Sequence, residues 1–243
     1  MKNATTRPAP IRQLAAALLA SMFLCFVVVT TADAQTRYTN SGATSKFSIG
    51  LGFAPGIALP TGTLDDGDDA GLGFAWRGGV NITYPLSTNV SGWLNVGLDS
   101  RDLGVREDTL LDPRFGSFRY LFIQPGFSYS SIGLSVNIGL PMSGTEPTPR
   151  PSGSPDPETS RDIESENIRM LIEPRLSGIL TLMNEPDYWL GLDVSVGFAV
   201  SKLYQDDFIR PEEVDDGRTR IGEGSSFTAH IGATFQFGIF DAF

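Results

Sequence analysis

Four charged side chains stand on the polar phase of runs that alternate polar and apolar: Arg77, Glu173, Arg175 and Asp193. Residues two apart share one face of a β-strand, so each of the four is predicted to project with its polar neighbours into one enclosed interior. Two cations against two anions make that set neutral. A charge shut away from water without a partner costs several kcal/mol, so enclosed charges have to pair. The set reads as a salt-bridge plug that holds the interior rigid; the alternative is a gated or selective polar path.

Nucleophilic chemistry has less to stand on. His230 is the single histidine, and Ser135, Ser177, Ser195 and Ser226 are the hydroxyls of the polar phase. A serine nucleophile needs a base within hydrogen-bond reach. Ser226 shares the face of His230 but lies near a loop boundary, and Ile231-Gly232-Ala233 supplies no serine after it. His230 is therefore read as an interior hydrogen-bonding residue and the chain as no enzyme. One histidine argues against zinc. The mature chain has no cysteine to add, because Cys25 lies in the leader. The acidic run Asp65, Asp66, Asp68 and Asp69 around Gly67 is a weak calcium candidate that lacks the distal bidentate glutamate of a complete loop. A solvated acidic loop is the favoured reading. Gly50-Leu51-Gly52 and Gly71-Leu72-Gly73 are followed by no helical pattern, which makes them strand glycines rather than phosphate loops. No cofactor is expected.

The elements that position these residues begin after a leader. Lys2, Arg7 and Arg12 precede an apolar run from Leu14 to Val29, and Ala32-Asp33-Ala34 reads as a small-x-small cleavage site, so residues 1–34 are expected to be a signal peptide. The run is shorter than the roughly 20 residues needed to span a bilayer as a helix. Residues 35–45 form a short N-terminal segment and 46–243 the folded domain. The formal charge of −10 includes a net +2 from the leader, so the remainder carries −12. Such acidity excludes a nucleic-acid footprint. No other stretch is apolar for long enough to make a spanning helix.

Eight runs of period-2 alternation follow, lying near 47–53, 72–84, 94–98, 118–129, 132–140, 168–176, 190–200 and 227–239. Phe118 to Ile123 is apolar on both faces, and Leu171 interrupts a polar face. Short connections at Pro85–Asn89, Ser130-Ser131 and Asn184–Asp187 alternate with long polar ones at Pro60–Ala70, Ser100–Ser117, Met142–Glu166 and Ser201–Gly224. Strict alternation of this kind is expected of a membrane barrel with short periplasmic turns and long extracellular loops. The polar faces hold mainly Gly, Ser, Asn, Thr and Ala. A water-facing surface would be rich in Lys and Glu, so the small polar face belongs inside and the apolar face toward lipid. Tyr84, Trp93, Tyr129, Tyr188 and Trp189 fall near the short turns, where an interfacial aromatic girdle is expected.

The last run ends on Phe243 in phase with Phe235, Phe237 and Ile239. This resembles the aromatic-ended final strand by which outer-membrane proteins are recognised by their assembly machinery. With Tyr84-Pro85-Leu86-Ser87, it resembles the small outer-membrane β-barrel families, PorT-like and OmpX/OmpA-like. The resemblance implies an all-β, eight-stranded antiparallel up-and-down transmembrane β-barrel in the cell outer membrane. It implies lipid, lipopolysaccharide and the assembly machinery as partners, with no nucleic acid. The leading function is non-enzymatic, in envelope integrity or surface interaction through the acidic loops. A transport barrel for a small or apolar solute is the runner-up, and a lipid-modifying enzyme comes third. Deleting Phe243 is predicted to lower the amount of heat-modifiable, folded protein in the outer membrane and to raise its periplasmic degradation. An unchanged folded band on semi-native gels removes Phe243 from that role.

Overall fold

The computed structural model describes residues 46–61, 68–87, 89–107, 114–147, 160–204 and 225–241, all within the unit Thr39–Phe243. The leader, Asp65, Asp66 and Phe243 lie outside the described residues. Ten strands form one sheet: β1 Lys46–Thr61, β2 Asp68–Gly71, β3 Gly73–Pro85, β4 Val90–Glu107, β5 Arg114–Tyr129, β6 Ile132–Pro147, β7 Ser160–Ile163, β8 Leu171–Asn184, β9 Tyr188–Phe198 and β10 Ser225–Asp241.

Eight of them close a ring in the order β1-β3-β4-β5-β6-β8-β9-β10 and back to β1, every neighbouring pair antiparallel. The architecture is an all-β, eight-stranded, up-and-down barrel. Closure leaves no sheet edge to be satisfied elsewhere. β2 and β7 lie off the ring in two long connections, extending the ladders of β4 and β6. The closing pair β1–β10 runs from Lys46↔Asp241 to Thr61↔Ser225, with a bulge at Phe47/Ser48 and Phe47 stacked on Phe240 at 4.8 Å. In the two-residue turn between β5 and β6, Ser130 takes the left-handed conformation, φ 55°.

The alternation of the sequence becomes the two faces of the wall. Leu51, Phe53, Phe74, Phe127, Leu134, Phe198, Ile231 and Phe237 stand outward and exposed. Inward lie Arg77, Gln124, Asn137, Glu173, Arg175, Ser195, Thr228 and His230, all buried. The register carries this rule from strand to strand: Glu173 pairs with Asn137, and Arg175 with Ser135.

Three expectations are corrected. The connection assigned to Ser100–Ser117 is shorter, because β4 continues to Glu107 and β5 begins at Arg114, which puts Arg101 in the wall. Residues 168–170 are not in a strand; Ile168 turns into the interior, bridged to Tyr204, with Arg169 N–H donating to the Leu203 carbonyl at 2.8 Å. Trp93 and Trp189 do not join a lipid-facing girdle. They share the inward phase of Asn95 and Gly191, and the Trp189 indole N–H donates to Thr181 Oγ1 at 3.2 Å. Of the five aromatic residues expected there, Tyr84 and Tyr129 are exposed outside, and Tyr188 leans on Phe235 at 6.0 Å.

At the long-loop end the interior changes character. Leu103, Phe118, Tyr120, Ile163, Ile168, Leu171, Ala199, Leu203 and Tyr204 form one buried apolar cluster with Ala58 and Ala75. Apolar residues on a polar phase, such as Phe118, Tyr120 and Leu171, thus acquire a physical reason. The segments around Ile168 and Leu203 pair with each other at this end, and their buried side chains need a greasy seat beneath them. Leu171→Ala should lose about 2–5 kcal/mol in a urea titration in micelles, because its side chain leaves a cavity. Its outward neighbour Ile172→Ala should lose less. Equal losses from the two would mean that the cap is not packed.

Candidate functional site

Beneath the cap, β4, β6, β8, β9 and β10 each contribute inward polar groups to one network. Arg101 is its hub. Its Nε and Nη2 donate to Asp99 Oδ1 at 3.1 and 3.0 Å, and Nη2 also reaches Asp99 Oδ2 at 3.0 Å and Glu173 Oε2 at 3.3 Å. Nη1 donates to Ser226 Oγ at 3.1 Å. Both partners of each ion pair are wholly buried. The fork of a guanidinium suits this task, since one side chain can hold two carboxylates and a hydroxyl in a fixed plane.

Glu173 is the second node. Arg175 Nη1 donates to Glu173 Oε2 at 2.9 Å, Thr228 donates to Oε1 at 2.6 Å, and Asn137 Nδ2 to Oε2 at 3.0 Å. Arg175 also donates to Thr228 at 3.0 Å and to Ser195 at 3.1 Å. Gly197 makes room for this pair: a Cβ there would stand 2.5 Å from Glu173 Oε1 and 2.8 Å from Arg175 Nη1. The glycine of β9 is thus a packing requirement of β8.

Arg175 Nη2 lies 2.8 Å from His230 Nδ1. A guanidinium only donates, so Nδ1 accepts and the ring proton sits on Nε2, which is buried with no partner among the described residues. His230 is thereby held by a cation instead of by a serine hydroxyl: Ser226 is bound to Arg101 and Ser195 to Arg175. Gln124 accepts from Arg77 Nη2 and donates to Ser135 Oγ at 2.7 Å. The Arg77 guanidinium also lies over the Phe122 ring at 4.4 Å, and that of Arg101 over Tyr120 at 5.7 Å.

Of the four charges singled out in the sequence, the structure joins Glu173 and Arg175 directly and places Arg77 on the inward wall with Gln124. Asp193 also faces inward, but among the described residues no ion pair within 4.0 Å joins it to an arginine. Asp99 and Arg101 were missing from that set. Both share the phase of Asn95 and Gly97: Asp99 closes that run's polar face, and continuing the alternation past Ser100 reaches Arg101. With them the described inward wall beneath the cap holds three arginines and three carboxylates. The acidic run is only partly described: Asp68 and Asp69 open β2, paired with Glu107 and Arg106. Among the described residues no group of His, Cys, Asp and Glu is arranged to hold a metal ion.

No protein-family model matches the chain, and no curated protein matches it significantly. Distantly similar solved structures include Ail, the attachment invasion locus protein of Yersinia pestis, in complex with the heparin analogue sucrose octasulfate. It is 12% identical, with 79% of this chain and 99% of that chain covered and a TM-score of 0.38. The N-terminal β-barrel domain of Pseudomonas aeruginosa OprF is 11% identical over 79% of this chain and 98% of that one, with a TM-score of 0.32. The outer membrane protein OprG from Pseudomonas aeruginosa is 12% identical over 83% and 97%, with a TM-score of 0.31. Likenesses this distant transfer no residue's role.

The network makes a direct forecast. Arg101→Met strands Asp99 and weakens the hold on Glu173, and should cost about 3–5 kcal/mol in the fully buried limit. Gly197→Ala should also destabilise, by forcing Glu173 from Arg175. Arg119→Met, on an exposed outward side chain, should stay within about 0.5 kcal/mol. Urea titrations in micelles that show Arg101→Met as stable as Arg119→Met would mean that the hub is solvated.

Proposed function

We propose that the chain is exported by cleavage of residues 1–34 and inserts into the outer membrane as a non-enzymatic barrel. Its lumen is sealed, and it acts through the acidic loops that it holds at the cell surface. The observation that carries this reading is the cap: an apolar cluster closes the long-loop end above a fully buried ion network. A solute would have to displace both. The outward face supports membrane insertion, because a ring of exposed Leu, Ile, Val and Phe on every wall strand is tolerated by hydrocarbon and not by water. The alternation of short turns and long connections supports loops outside and turns in the periplasm. Lipid and lipopolysaccharide surround the wall in this reading, and the assembly machinery inserts it.

Insertion and sealing are tested together. A fluorophore on Val136→Cys should be quenched by a lipid-borne quencher, and Ser154→Cys should react with a membrane-impermeant maleimide on intact cells. The reconstituted barrel should give no steady conductance in planar bilayers. Protection of Ser154→Cys until the outer membrane is permeabilised would reverse the sidedness. Discrete open channels in the unmodified protein would overturn the sealed lumen and favour transport.

A further inference from the structure

The two ends of the lumen differ in access. Around Arg101 and Glu173 every inward side chain is buried, whereas toward the short turns Asn81, Trp93, Asn95, Asp193 and Thr234 stay part-exposed. The cap closes the far end, so water reaches these groups only from the short-turn end. β4 and β9 stand on opposite sides of the eight-stranded ring, four strands apart either way, so Trp93 and Asn95 face Asp193 across the lumen. The adjoining wall is bare. Gly52, Gly79 and Gly97 pair side by side across β1, β3 and β4, and the atoms nearest a Cβ at Gly79 or Gly97 belong to the main chain of neighbouring strands. Three adjacent positions there carry no side chain into the lumen.

The lining has hydrogen-bonding capacity to spare. Trp93 Nε1 is buried with no acceptor among the described residues. Asn95 accepts from Asn81 through Oδ1, which leaves its own amide hydrogens available. Asp193 has no arginine partner within 4.0 Å among the described residues. An indole face, a planar amide and a carboxylate together suit a hydroxylated ring: C–H groups pack on the indole while neighbouring hydroxyls donate to the carboxylate and accept from the amide. Asp193 disfavours an anion here, and the arginines beyond it disfavour a cation.

We propose that this vestibule is a binding site for a neutral saccharide ring that enters from the short-turn end. Only the statement that this end faces the periplasm rests on the membrane reading; binding by the refolded barrel does not. The test uses the mature protein refolded in a sugar-free detergent, with Trp76→Phe removing the one outward indole. Glucose and N-acetylglucosamine are titrated separately, and indole emission is followed. A saturable change is expected with at least one of them, weakened about tenfold, the worth of one good hydrogen bond, in Asn95→Leu and in Asp193→Asn. A thiol reagent should modify Asn95→Cys, and the sugar should slow that reaction. Folding of each variant is read from its heat-modifiable mobility, and Thr234→Val replaces Asn95→Leu if that variant does not fold. No saturable change with either sugar, an equal response in all variants, or an unreactive Asn95→Cys overturns the site. Loss of lipid quenching at Val136→Cys with sugar binding retained would instead overturn the membrane reading alone.

Discussion

The grip of Arg101 on Asp99 and Glu173 is the interaction on which the rest of the interior depends. It connects β4 to β8, strands that do not pair in the ring, and through Ser226 it reaches β10. Backbone ladders fix only neighbours. A closed barrel can satisfy all its main-chain groups in more than one register, since every strand offers the same N–H and C=O row. A wholly buried arginine removes that freedom, because a shift of one residue would turn Arg101 and Asp99 outward together and take from Glu173 one of its two arginines. The cost of a broken buried pair, about 3–5 kcal/mol, is a large part of a protein's total stability. Asn137 and Thr228 then bind Glu173 from β6 and β10, so several strands read one carboxylate.

This network dictates where the barrel can be crowded and where it must be open. Gly197 is bare because Glu173 and Arg175 fill its place, and Gly56 is bare because the His230 ring stands 2.7 Å from where its Cβ would be. Toward the short turns the same residue type does the opposite work. Gly126 is covered by the Trp93 indole, whose nearest ring atom would be 2.5 Å from an added Cβ, while the Gly52, Gly79 and Gly97 row has no such cover from an indole. The inward glycines thus fall into two groups with different reasons. One admits large side chains, and the other lets neighbouring main chains approach closely.

Much of the wall was legible because period-2 alternation is a direct projection of its two faces. The ring of eight, the short and long connections and the inward placing of Glu173 and Arg175 all follow from that period. For the two tryptophans and Arg101, residue type and phase point in different directions, and phase decides. Trp93 and Trp189 were sent to the membrane interface because indoles favour it, although Asn95 and Gly191 put both inside. Arg101 was assigned to a loop because Ser100, Arg101 and Asp102 are polar together. Ile168 is apolar at the spacing of the outward face, yet it is buried, and its pairing is reduced to a single bridge with Tyr204. The role of Asp193 was illegible from sequence, since pairing depends on which arginine its opposite strand presents.

The division of the lumen into a greasy cap and a polar body has a common origin in the surroundings proposed for the barrel. Where the wall faces lipid, burying apolar groups inside gains little, because hydrocarbon outside is an equally good solvent for them. Polar groups inside gain more, since lipid offers them no hydrogen bonds. At the long-loop end the chain meets water again, and the balance reverses: Leu103, Ile168 and Leu203 are driven inward by the ordinary hydrophobic effect. Tyr204 marks the changeover. Its ring packs edge-on against Phe118 at 5.7 Å while its hydroxyl donates to the buried Glu146 at 3.3 Å. The cap is therefore the small part of this protein that folds as a soluble domain does, at an end where such a core has water to exclude.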